Sequence, residues 1–208
     1  MRVIERLVRE LREGRLIVLP TETQYALAGD AANRDVVELI RRLKRRSPRL
    51  PFSVFLPGLA ALPRWRIRCP AAARRLAAAF WPGPLTLILP HDNPVFAALG
   101  GRRSCVGVRV SPEPLIIALA TRLGRPLVAT SANPSGAVLT AQEQNHWLTQ
   151  LARGGQIAWV RPPRYVRRQA STVIDCCGRA PRQLRAGPIA SARWHNVLHG
   201  DASVQKAA

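Results

Sequence analysis

Lys44, Arg45 and Arg46 stand together at the end of an amphipathic stretch, and of the 32 Lys and Arg residues in this chain only Lys44 and Lys206 are lysines. Lysine presents a compact, strongly hydrated point charge with rotatable donors where arginine presents a planar fork, so a phosphate chain that changes shape during reaction can require the first. The same three residues also read as a solvated helix end, where cations complement the macrodipole. Thr21 and Thr23 follow directly on one apolar run and Ser131 and Asn133 on another, while Ser171 opens a third and Arg185 closes a fourth. Arg109 lies inside the apolar run CVGVRV, residues 105–110. A charge there is costly unless paired, so Arg109 is either a structural ion-pair partner or an anion contact. Cations, hydroxyls and amides without paired carboxylates or a Ser-His-Asp set fit acid-base hydrolysis poorly. They suit phosphoryl or nucleotidyl transfer, where positioning and charge neutralisation supply most of the rate.

The elements that must position these groups follow from periodicity. Val3, Ile4, Leu7, Val8 and Leu11 recur at helical spacing before Gly14, and Arg15–Leu19 reads as a buried strand that Pro20 ends. Residues 20–31 read as a loop. Asn33 is a good N-cap for a helix whose stripe is Val36, Val37, Leu39, Ile40 and Leu43 and which delivers Lys44 to Arg46. Further strands are expected over 52–56, 85–89, 105–110, 126–130, 156–160, 171–175 and 183–185, and helices over 71–80, 115–123, 141–153 and 190–198. Strands read in one direction would gather their polar ends along one side of a sheet, where α/β folds keep ligands. Residues 161–168, RPPRYVRR, form a cationic loop with one aromatic, which reads as a nucleic-acid contact or a solvated loop.

The 208 residues suffice for one sizeable core, and 18 prolines with 14 glycines argue for many short elements rather than a helix bundle. A formal charge of +20 makes polyanions the expected partners. Cys69, Cys105, Cys176 and Cys177 lack paired C-x-x-C spacing, and the four histidines are dispersed, so no metal site is read. The charged N-terminus is no signal peptide, and no window approaches the run of about 20 apolar residues that spans a bilayer. A cytoplasmic protein without membrane contact is expected.

Taken in order, PTETQYAL, Lys44-Arg45-Arg46, FWPGPLT, VGVRV, TSANPSG, STVID and QLRAG resemble the motifs of the YrdC/YciO-type proteins, whose main enzymatic branch is threonylcarbamoyl-AMP synthase. The resemblance runs from about Arg15 to Ile189. It implies a single α/β domain over 1–190, a twisted mixed parallel and antiparallel sheet with flanking helices and a basic concave face, followed by a helix end and loose tail over 191–208. It also implies the short form of the enzyme, joining L-threonine, bicarbonate or CO2, and ATP with its Mg2+, for the t6A modification of tRNA. By the same resemblance Lys44 and Arg46 act on the ATP phosphates as the catalytic cations, with Asn133 and Arg185 also on the nucleotide. Thr23, Arg109, Ser131 and Ser171 would hold threonine, no metal would be held by the protein, and the downstream threonylcarbamoyl transferase complex and RNA would be partners. Gln24, Ala26, Ser47, Leu50, Ser111 and Glu113 depart from the residues the family often carries at those places. The alternative reading is a non-catalytic YciO-like RNA-binding protein using the same basic concavity in tRNA or ribosome maturation.

Overall fold

Apolar spacing of three and four residues shapes the first helix, α1 (Arg2–Arg12), which buries Leu7, Val8 and Leu11 beneath an Arg- and Glu-rich outer face. Strand β1 (Leu16–Leu19) is buried along its whole length. Beyond a turn comes β2 (Ala26–Asp30), inside the stretch that the sequence reads as loop. Its Ala, Gly and Asp residues have poor strand propensity, but pairing to β1 on one side and to β6 (Leu127–Ser131) on the other overrides that preference. Gly29 belongs there because a Cβ would lie 2.5 Å from Val36 Cγ1 and 2.9 Å from Leu16 Cδ2. Helix α2 (Arg34–Lys44) starts where Asn33 Oδ1 accepts from the N–H groups of Asp35 (3.0 Å) and Val36 (3.3 Å).

The computed structural model describes residues 2–102, 104–137, 139–155, 157–160 and 169–200. The remaining elements are β3 (Ser53–Phe55), α3 (Ala71–Phe80), β4 (Leu85–Pro90), β5 (Cys105–Arg109), α4 (Pro114–Leu123) and β6 (Leu127–Ser131). They are followed by α5 (Ala141–Arg153), β7 (Ile157–Val160), β8 (Thr172–Asp175), β9 (Arg182–Arg185) and α6 (Ser191–His199). The cationic stretch 161–168 and the tail 201–208 lie outside the described residues. Helix α6 is no loose end: Trp194 and Leu198 are buried in the main core and Trp194 Nε1 donates to Gln183 Oε1 at 2.7 Å, so the domain extends past 190.

The nine strands among the described residues form one sheet in the order β7-β1-β2-β6-β3-β5-β4-β8-β9. The pairs β1/β7, β3/β5 and β4/β8 are parallel and the other five antiparallel, so the strands do not share a direction and their polar ends cannot gather on one edge. Alternation gathers the polar groups on a face instead. One face, with Leu16, Val18, Leu27, Val54, Leu87 and Val108, packs under α2, α3 and α6. The opposite face is covered by α1 and α4 only over Ile17, Leu19, Ala28, Phe55, Leu127 and Ala129. Beyond Phe55 that second face presents Ser53, Arg109, Thr86, Val173 and Asp175 to open clefts.

Candidate functional site

The Lys44–Arg46 turn aims its cations in different directions because of its middle residue. Arg45 caps α2 in the left-handed region at φ 49°, its N–H reaching back to Arg42 O. A non-glycine residue there costs about 1 kcal/mol or more, strain that clusters at functional sites. Lys44, only 1% exposed, turns into the protein and donates through Nζ to the carbonyls of Ser131 and Asn133 and to Asn133 Oδ1 (3.2 Å). Burial first, and Arg46 second, push its pKa down to about 7. Arg46 turns the other way, into the cleft, with Nη2 donating to Pro51 O at 2.9 Å and its guanidinium 5.1 Å above the Phe52 ring.

Arg109 comes off β5 onto the same face and is buried. Its Nη2 donates to Glu22 Oε1 (2.6 Å) and to Thr23 Oγ1 (2.7 Å). The Thr23 hydroxyl meets Thr21 Oγ1 at 2.9 Å, and Thr21 Oγ1 donates to Gln24 O at 2.7 Å. On the far side the fully buried Ser111 donates through Oγ to Glu22 Oε2 at 2.8 Å. Of the two open readings of Arg109, the ion-pair partner is the one seen, with Glu22, and the guanidinium also lines the cleft. From the neighbouring strands, Ser171 Oγ meets Thr86 Oγ1 at 2.8 Å and accepts from Arg185 Nη2 at 3.0 Å, while Arg185 Nε donates to Ser171 O at 2.9 Å.

Thr21, Thr23, Arg46, Thr86, Arg109, Ser171 and Arg185 line a cleft of about 140 Å³ that has no carboxylate in its lining among the described residues. A broader hollow of about 540 Å³ adjoins it, and Arg46 and Arg185 belong to both. Burial lowers the pKa of both arginines, helped at Arg46 by Arg41 and then Arg185, and at Arg185 by Arg109. Like charges held this close are costly to keep together, and an anion between them relieves the repulsion.

Residues 9–187 match the Sua5_yciO_yrdC family model, which carries the description "Telomere recombination". The chain belongs to the Sua5/YciO/YrdC family. A Mycobacterium leprae protein provisionally named threonylcarbamoyl-AMP synthase is 33% identical over 193 residues, 92% of this chain and 86% of that one. The Bacillus subtilis threonylcarbamoyl-AMP synthase is 31% identical over 195 residues, 90% of this chain and 54% of its own length. The crystal structure of Pyrococcus abyssi Sua5 complexed with L-threonine superimposes with a TM-score of 0.81 at 30% identity, covering 94% of this chain and 57% of that one. Escherichia coli YciO superimposes with a TM-score of 0.79 at 26% identity, covering 93% of each chain.

Six of the eight residues singled out by the Sua5/YciO/YrdC motifs line the one cleft: Thr23, Arg46, Arg109, Ser131, Ser171 and Arg185. Lys44 and Asn133 do not. They stand behind it, Lys44 holding the 131–133 loop and Asn133 Nδ2 donating to Ala137 O. Lys44 Nζ is met here by the oxygens of Ser131 and Asn133, because a buried ammonium must find acceptors. Ser111 and Thr86 carry no signal as site residues in the sequence, whereas Glu22 stands beside Thr21 and Thr23 in the loop directly after a strand, where α/β sheets keep ligands. Thr86 sits in the quoted FWPGPLT run, where its exposed-face position follows only once β4 is registered against β5.

Proposed function

We propose that this chain is a threonylcarbamoyl-AMP synthase, joining L-threonine, bicarbonate or CO2, and ATP into L-threonylcarbamoyladenylate and pyrophosphate for tRNA t6A modification. The observation that carries this reading is the cleft with three arginines and several hydroxyls but no carboxylate in its lining, on a chain that matches the synthases over most of its length. Arg46 and Arg185 take the triphosphate between them. Arg109, held by Glu22 and Thr23, takes the threonine carboxylate, and Ser131 and Ser171 offer hydroxyls to the amino acid. Lys44 and Asn133 act through the loop they brace.

The neutral threonine amine adds CO2 and gives up a proton to water, leaving a carbamate anion; a carbamate oxygen attacks the α-phosphorus, and the bond to the bridging oxygen breaks as pyrophosphate leaves. No protein nucleophile is needed. Rate comes from orientation and from cations aimed at the charge that builds on the leaving group. Three guanidinium groups repel a divalent cation and the described lining offers it no carboxylate, so Mg2+ would enter as the ATP complex, held by the phosphates.

Pyrophosphate release from ATP that requires both threonine and bicarbonate is the expected result, with Arg46→Ala lowering kcat/KM by about 100-fold or more. Release independent of threonine would refute the assignment. A second reading, RNA binding, is favoured by the +20 charge. RNA affinity that falls steeply with salt, in a protein that binds neither ATP nor threonine, would decide for it.

A further inference from the structure

Two chains of hydroxyls start from arginines at the cleft, and they end differently. In the first, Arg109 Nη2 donates to Thr23 Oγ1 at 2.7 Å, and Thr23 Oγ1 meets Thr21 Oγ1 at 2.9 Å. Thr21 Oγ1 donates to Gln24 O at 2.7 Å, so the proton between the two threonines comes from Thr23 and the chain ends on a backbone carbonyl. In the second, Arg185 Nη2 donates to Ser171 Oγ at 3.0 Å, and Ser171 Oγ meets Thr86 Oγ1 at 2.8 Å. A guanidinium can only donate, so Ser171 accepts from it and keeps one proton and one lone pair. Thr86 Oγ1 is the acceptor within reach of that proton. The Thr86 proton is then left without a protein acceptor among the described residues.

Both hydroxyls of the second chain are buried, Thr86 being 4% exposed and Ser171 3%, and both side chains line the cleft. A buried donor left unsatisfied is costly, so the Thr86 proton calls for an acceptor inside the cleft. The β4/β5 register sets Thr86 directly opposite Arg109, which brings the two side chains next to each other on that face. The cation at the head of the chain polarises the hydroxyls behind it and strengthens the last donor.

We propose that Thr86 is a substrate-binding residue: its hydroxyl, the open end of the Arg185–Ser171–Thr86 chain, donates to the amino-acid carboxylate that Arg109 pairs with. The inference rests on the reading that Arg109 takes the threonine carboxylate. Ser171 keeps its second lone pair for a donor of the amino acid.

Separate calorimetric titrations of the full chain with L-threonine and with ATP test this in wild type, Thr86→Val and Thr86→Ser. Valine keeps the branched shape and removes the O–H, and L-threonine should bind about 10-fold more weakly or worse, the loss of a hydrogen bond to a charged group. Serine keeps the hydroxyl and should restore affinity to within about threefold of wild type. ATP should bind all three proteins alike. Threonine affinity indifferent to Thr86→Val, a loss in Thr86→Ser as large as in Thr86→Val, or an equal weakening of ATP would each overturn the proposal. A wild type that binds no threonine removes the carboxylate reading and this inference with it. If threonine binding responds as expected but threonine, bicarbonate and ATP yield no pyrophosphate, the synthase assignment fails and the Thr86 contact stands.

Discussion

Replacing Lys44 by methionine probes the buried cation that braces the 131–133 loop. Lys44 is 1% exposed, and burial, with Arg46 as the second cause, takes its pKa from 10.5 to about 7. The folded chain then gives up this proton near pH 7 and the unfolded chain near 10.5. Between those values the unfolded state holds one more proton, so stability rises with pH; the contribution is complete above the unfolded pKa and is lost as pH falls through the folded one. At about 1.4 kcal/mol per pH unit, the step from pH 7.0 to 8.5 is worth about 1.5–2 kcal/mol. The three oxygen acceptors on Nζ favour the ammonium and place the result at the lower end of that range. Buried thiols work in the opposite direction at higher pH, since burial raises Cys69 and Cys177 and takes Cys176 up to about 12. Urea unfolding of wild type and Lys44→Met at the two pH values isolates the lysine. The wild-type rise should exceed that of the variant by about 1.5 kcal/mol. Identical slopes in the two proteins would refute the reasoning.

Ser111→Ala removes the hydroxyl that holds Glu22, so the threonine KM should rise severalfold with kcat nearly unchanged, at a stability cost of about 1 kcal/mol read by urea unfolding. Gly107→Ala places a Cβ 2.6 Å from Ser53 Oγ on the floor of the hollow, and its melting curve should show a loss of about 1–3 kcal/mol. Trp194→Ala should cost about 3–5 kcal/mol in chemical denaturation, since the ring is buried in the main core and its Nε1–H is bonded to Gln183; a negligible loss would restore the domain end at 190.

Elements with strong periodicity were legible in the sequence, and those set by tertiary contact were not. Helix α2 declares itself through Asn33 and its apolar stripe, whereas β2 is interior to the sheet but built of Ala, Leu, Gly and Asp, with Gly29 required by the approach of Val36 and Leu16. Site residues show the same division. Arg109 stands out because a charge in an apolar strand needs a reason. Ser111 and Thr86 do not, since a hydroxyl in a turn or strand is ordinary until the register brings Glu22 or Ser171 beside it. Lys44 was conspicuous as a lone lysine, but only the left-handed Arg45 decides that it points inward while Arg46 points into the cleft.

The shared purpose of the two hollows is tested most directly by following carbon. Incubation with ¹³C-bicarbonate, ATP and L-threonine, with mass analysis of the products, should yield an adenylate carrying one labelled carbon and the threonine skeleton. That product should vanish when threonine is omitted or when Arg109→Met or Arg46→Ala replaces the wild type. ATP consumption without a labelled adenylate, or a labelled adenylate formed equally well by both variants, would contradict the account.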